Sequence, residues 1–76
     1  MPRLTLKRIK ATFGRNVRER RLLLNMSQAE LAERAELRRA AISDIEREAA
    51  NPTLDSITKI AAALRVDVCE LFDLHL

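Results

Sequence analysis

A single glycine, Gly14, and two prolines leave the chain almost nothing from which to build the tight turns of a hairpin-rich sheet protein. Aromatic residues are nearly missing too, with only Phe13 and Phe72 and no Trp or Tyr, so an all-β reading is poor. Cys69 is the one cysteine and cannot form an intramolecular disulfide, and the one histidine, His75, makes no metal-ligand spacing with it. A reducing, cytoplasmic setting is expected, with no metal or cofactor. Apolar runs fall far short of the roughly 20 residues that span a bilayer, and the basic N-terminus lacks the apolar block of a signal peptide. The expectation is a soluble, unexported protein with no membrane partner. No Ser, Cys or His has an evident base or metal partner, and no glycine-rich phosphate loop is present, which argues against an enzyme.

What is present is a chain of 76 residues, enough for one core, with 47% apolar residues drawn mostly from Leu, Ile, Val and Ala. Its net charge of +3 is unevenly spread. Residues 1 to 26 carry eight basic side chains against Glu19 alone, while the stretches 27–48 and 49–76 are each net −2. Such asymmetry fits a polyanionic partner, either nucleic acid or an anionic membrane surface, or else a solvated helix face.

Five helices are expected. Phe13, Val17 and Leu24, with Arg21 on the same stripe, place a first helix from Thr12, or from as early as Thr5, to about Leu24, where Asn25 stops it. Ser27 with Glu30 is a capping-box signature, and Met26 can staple onto Leu31, so a second helix starts there and ends near Glu36. A third, from about Arg39 to Arg47, buries Ile42 and Ile45. Thr53 can cap a fourth carrying Leu54, Ile57, Ile60, Ala61 and Leu64. Asp67 and Glu70 repeat the cap-plus-acid pattern before a short last helix bearing Val68, Leu71 and Phe72. Residues 1–11 form a basic N-terminal arm or the start of the first helix, and residues 12–76 the domain proper. Arg3, Lys7, Arg8 and Lys10 on that segment are candidates to run along a nucleic-acid backbone or into a minor groove, with a disordered, solubilising tail as the alternative for residues 1–5, and Arg15 and Arg18 to reach flanking phosphates.

Between Ser27 and Arg47 the spacing describes two helices joined by a short turn, which cross steeply only if the contact residue is small, and Ala32 occupies that place. The third helix then turns Arg39, Ala40, Ser43, Asp44 and Arg47 away from the body.

The stretch Met26-Ser-Gln-Ala-Glu-Leu-Ala-Glu-Arg-Ala, then Ala41-Ile-Ser-Asp-Ile-Glu-Arg, then Asn51-Pro-Thr-Leu, resembles the phage-repressor or XRE-type helix-turn-helix family from about Phe13 to Phe72. The resemblance implies an all-α, lambda-repressor-like DNA-binding domain. It extends to small regulators such as restriction-modification controllers, compact phage repressors and antitoxins that repress their own operon. It also implies roles. Gln28 matches the family glutamine that bonds a DNA phosphate, with Ser27 and the helix N-terminus donating to the same group. Arg39, Ala40 and Asp44 match base-facing positions, suited in turn to guanine O6 and N7, a thymine methyl and cytosine N4. Asp44 has the alternative of pairing with Arg47 or Arg39. Ser43 and Arg47 lie toward the backbone. Arg38 stands where a small hydroxyl cap is usual, and three roles stay open for it: a cap, a phosphate grip or a base contact. Arg21 and Glu46 match an internal ion pair. Asn25, Glu36, Glu48 and Arg65 replace glycines usual in the family, at a cost of about 1 kcal/mol or more each if the backbone keeps a positive φ.

Val66, Val68, Leu71, Phe72, Leu74 and Leu76 crowd the C-terminal stretch. They are read as the interface of a homodimer that sets two third helices about 34 Å apart on successive major grooves of a palindromic site, or else as the end of the monomer core. The function expected is a sequence-specific, double-stranded DNA-binding transcription regulator with no small-molecule effector. The alternative is a protein-binding adaptor or antitoxin-like module on the same fold.

Overall fold

The computed structural model describes residues 4–74. Arg3, His75 and Leu76 lie outside the described residues. Among the described residues four α-helices follow one another, α1 (Leu6–Leu23), α2 (Gln28–Ala35), α3 (Arg39–Glu46) and α4 (Leu54–Leu64), then a 3-10 helix, Val68–Phe72. No strand occurs among the described residues. The fifth helix expected from sequence is therefore a 3-10 turn. Its bonds run from Glu70 N to the Asp67 carbonyl at 3.0 Å and from Asp73 N to the Glu70 carbonyl at 3.4 Å, and five residues are too few to favour the α form.

Helix starts follow the caps. The Thr5 hydroxyl accepts from Arg8 N at 3.1 Å and the Thr53 hydroxyl from Ser56 N at 3.1 Å. Ser27 and Glu30 close a full capping box, with Glu30 N donating to Ser27 Oγ at 3.0 Å and Ser27 N to Glu30 Oε1 at 3.0 Å. Lys7, Arg8 and Lys10 thus ride on the first turns of α1.

Helix ends share one device. Asn25, Glu36, Glu48 and Arg65 sit at φ of 55°, 56°, 64° and 59°. Behind each, the next amide reaches back over the last turn: Met26 N to the Arg21 carbonyl, Leu37 N to Ala32, Ala49 N to Asp44 and Val66 N to Ala61. All four α-helices therefore finish in the Schellman arrangement that glycine usually completes, here with side chains in the left-handed region. Each corner costs roughly 1–2 kcal/mol. Burial outweighs them: Val17, Leu31, Ile42, Ile60, Leu64 and Leu71 are fully enclosed, each stabilising by roughly 1.5–3 kcal/mol.

Two small residues let the helices approach. Ala32 is buried on α2. Gly14, in the middle of α1, is the second, since a methyl group there would collide with the Ile45 carbonyl oxygen of α3. Glycine inside a helix costs about 0.5–1 kcal/mol relative to alanine, and the backbone-to-backbone contact is what requires it.

The C-terminal stretch is mostly committed to the monomer. Leu71, expected at a dimer interface, is completely buried in the core and unavailable to a partner. Phe72 is half-buried, its ring stacked on Phe13 with centroids 5.0 Å apart, and Val66 and Leu74 are half-buried too. Buried Asn16 of α1 holds the segment down, its amide donating to the carbonyls of Leu71 at 3.0 Å and Asp73 at 2.9 Å. Of the expected interface residues that are described, only Val68, 40% exposed, faces out. Leu54, expected on the buried stripe of α4, is 82% exposed, because the first residue of a helix anchored at Thr53 falls before the stripe meets the core.

Candidate nucleic-acid interface

The geometry of α3 follows from its two isoleucines. Ile42 and Ile45, three apart and both buried, pin one side of an eight-residue helix to the body. Arg39, Ala40 and Arg47 are exposed on the other side, with Ser43 and Asp44 half-buried among them. Arg38, also exposed, takes the N-cap position in an extended conformation and makes no side-chain cap bond. Its side chain contributes nothing to the helix start. Asp44 forms an ion pair with Arg47 three residues on, so in this structure its carboxylate is engaged along the helix.

Behind this face lies a polar network joining three helices. Arg21 of α1 donates through Nε to Glu46 Oε2 at 2.7 Å and through Nη2 to Oε1 at 2.9 Å, a two-pronged pair with both side chains nearly buried. Its remaining nitrogen, Nη1, donates to the Met26 carbonyl at 2.8 Å, filling the position just before α2. The hydrogen bonds it donates to the Glu46 carboxylate hold the Arg21 guanidinium above its ordinary pKa, against the opposing effect of burial. Gln28, the first residue of α2, donates its amide to Glu46 Oε1 at 3.2 Å. That amide has a second N–H, and Ser27 beside it is exposed at the helix N-terminus.

Sequence patterns missed two residues that shape this arrangement, Gly14 and Asn16. The signal for the first was a lone glycine at mid-helix, and for the second an amide on the apolar stripe of Phe13 and Val17. Of the N-terminal cations, Arg21 is internal and Arg20 lies 3.6 Å from Glu70, while Lys7, Arg15 and Arg18 are exposed. Among the described residues no cluster of His, Cys, Asp or Glu has the arrangement to hold a metal ion, and no helix is long and apolar enough to cross a membrane.

The Helix-turn-helix family model HTH_3 matches residues 17–71. The control protein C.BamHI of Bacillus amyloliquefaciens is 48% identical over 66 residues, 86% of this chain and 82% of that protein. The immunity repressor protein of Bacillus phage phi105 is 37% identical over 57 residues, 75% of this chain but 40% of its own length. The crystal structure of the restriction-modification controller protein C.AhdI from Aeromonas hydrophila superposes with a TM-score of 0.80 at 36% identity, covering 83% of this chain and 96% of that one. The chain belongs to the XRE-type helix-turn-helix family of DNA-binding transcription regulators.

Proposed function

We propose that the protein binds a palindromic duplex operator as a homodimer, each copy laying α3 in a major groove, and so controls transcription. The observation that carries this reading is the division of α3: Ile42 and Ile45 are locked inside while Arg39 and Ala40 stand free at its N-terminal end. On this reading Arg39 forks onto a guanine edge and Ala40 meets a thymine methyl. Asp44 reads a base only after releasing Arg47, and Gln28, Ser27, Ser43 and Arg47 engage phosphates. Two relatives that the chain spans for most of their length are control proteins, which supports a controller of a restriction-modification system. Such a protein works where the DNA is, in the cytoplasm. Self-association draws on Val68 together with the exposed Leu23 and Leu24 at the end of α1. The Arg20–Glu70 contact brings the end of α1 alongside the 3-10 turn that carries Val68.

Selecting bound sequences from a random duplex pool tests the proposal. A palindrome with half-sites about 34 Å apart is expected. An enriched single half-site, or no enrichment at low salt, would overturn it.

A further inference from the structure

Most of the positive charge precedes the helix-turn-helix, which is itself net negative and cannot drive affinity through counterion release. The structure shows where part of that charge goes. Lys7 and Lys10, one turn apart on α1, line a shallow hollow together with Leu6 of the same helix and with Arg47 and Glu48 at the end of α3. Arg47 lies four residues beyond Ser43 and three beyond Asp44, so it continues the outward side of α3, and the two lysines extend that side onto another helix. Among the described residues neither lysine has a carboxylate within salt-bridge distance. Glu48 is the one acid in the lining, and Arg47 is held by Asp44.

Two unpaired ammonium groups beside a guanidinium repel one another unless an anion lies between them. The hollow also has an apolar member, since Leu6 is 64% exposed. A nucleic-acid strand presents the matching pattern, an anionic phosphate followed by a sugar with an apolar edge.

We infer that Lys7 and Lys10, with Arg47, form a helix-borne clamp on the DNA phosphodiester backbone beyond the helix-turn-helix, which supplies a large share of the affinity and none of the sequence preference. The inference rests on the DNA-binding reading above. It replaces a trailing basic arm by two lysines whose spacing is fixed by α1, so their contacts need no ordering of a loose segment.

The test compares the full-length wild type with a Lys7→Gln/Lys10→Gln double variant and a Lys59→Gln control, whose lysine pairs with Asp55 on α4 at 3.3 Å. Each is titrated with selected and scrambled duplexes between about 50 and 200 mM salt. The double variant is expected to flatten the slope of log affinity against log salt by about 0.9 per lysine, to weaken both duplexes alike, and to keep the wild-type ratio between them. The control should keep the wild-type slope. A double variant with the wild-type slope overturns the clamp while leaving DNA binding intact. A changed ratio between duplexes also overturns it, by making the lysines sequence readers. A wild type that binds neither duplex sinks the DNA reading itself and the clamp with it.

Discussion

Gln28 Nε2 stands 3.2 Å from Glu46 Oε1, so the first residue of α2 is tied to the last residue of α3 through a carboxylate that Arg21 already grips on both oxygens. One acid thereby fixes three helices around the end of the exposed face.

Breaking that grip from one side should be costly. Arg21→Met leaves Glu46 unpaired in a nearly closed site and is expected to destabilise the fold by about 3–5 kcal/mol in urea unfolding. Adding Glu46→Leu should recover much of the loss, because the charge and its desolvation go together. Equal losses in the single and double variants would show that packing, and not charge pairing, makes the site matter.

Arg39 and Arg47 occupy opposite ends of one helix side and should fail differently. Arg39→Ala is expected to relax preference at one base pair by about 1–3 kcal/mol, whereas Arg47→Ala weakens every sequence alike. Binding to a panel of single-base operator variants separates the two. Preference left intact by Arg39→Ala would mean that the reading face is wrongly assigned.

The left-handed corner at Glu36 predicts a gain. Glu36→Gly removes the side-chain clash at φ 56° and should stabilise the fold by about 1 kcal/mol, offset in part by glycine's greater freedom when unfolded. Gly14→Ala should do the opposite, costing about 1–3 kcal/mol as α1 is forced from the Ile45 carbonyl. Thermal melts of the pair check both signs.

The capping box predicts a pH dependence. The Ser27 backbone N–H, and then its hydroxyl, hold the Glu30 carboxyl below its usual range, with a smaller contribution from Arg34. A carboxyl depressed on folding adds stability that is fully present above its unfolded pKa and is lost as pH falls through the folded value. Stability should therefore decline in acid below the ordinary carboxylate range. Ser27→Ala should cost about 1 kcal/mol near neutral pH and show a shallower acid decline in melts at several pH values.

Much of this was readable from local chemistry. Ser27 with Glu30, and Thr53, mark helix starts because a cap depends only on residues three apart. The four corners were readable as well, since family glycines mark positive φ and their replacements were visible as departures; the structure keeps the angle and bears the strain. What escaped depends on contacts distant in sequence. Gly14 is explained only by Ile45, and Asn16 only by carbonyls 55 and 57 residues away. Leu71 reads from sequence as a dimer-surface residue because a count of apolar residues does not reveal how much room α1 and α4 leave beneath them, and it is completely buried. On the candidate interface, helical periodicity separated the inner from the outer residues of α3, but the Asp44–Arg47 pairing depends on rotamers that periodicity does not specify.

The bare backbone contact between Gly14 and Ile45 leaves no cushion of side chains there for the third helix to pivot on. A rod seated that directly meets its target as a rigid template. On the operator-binding reading proposed above, the duplex does the adjusting at imperfect sites, and ranking among them is expected to follow the bendability of untouched base steps as well as the bases that are touched.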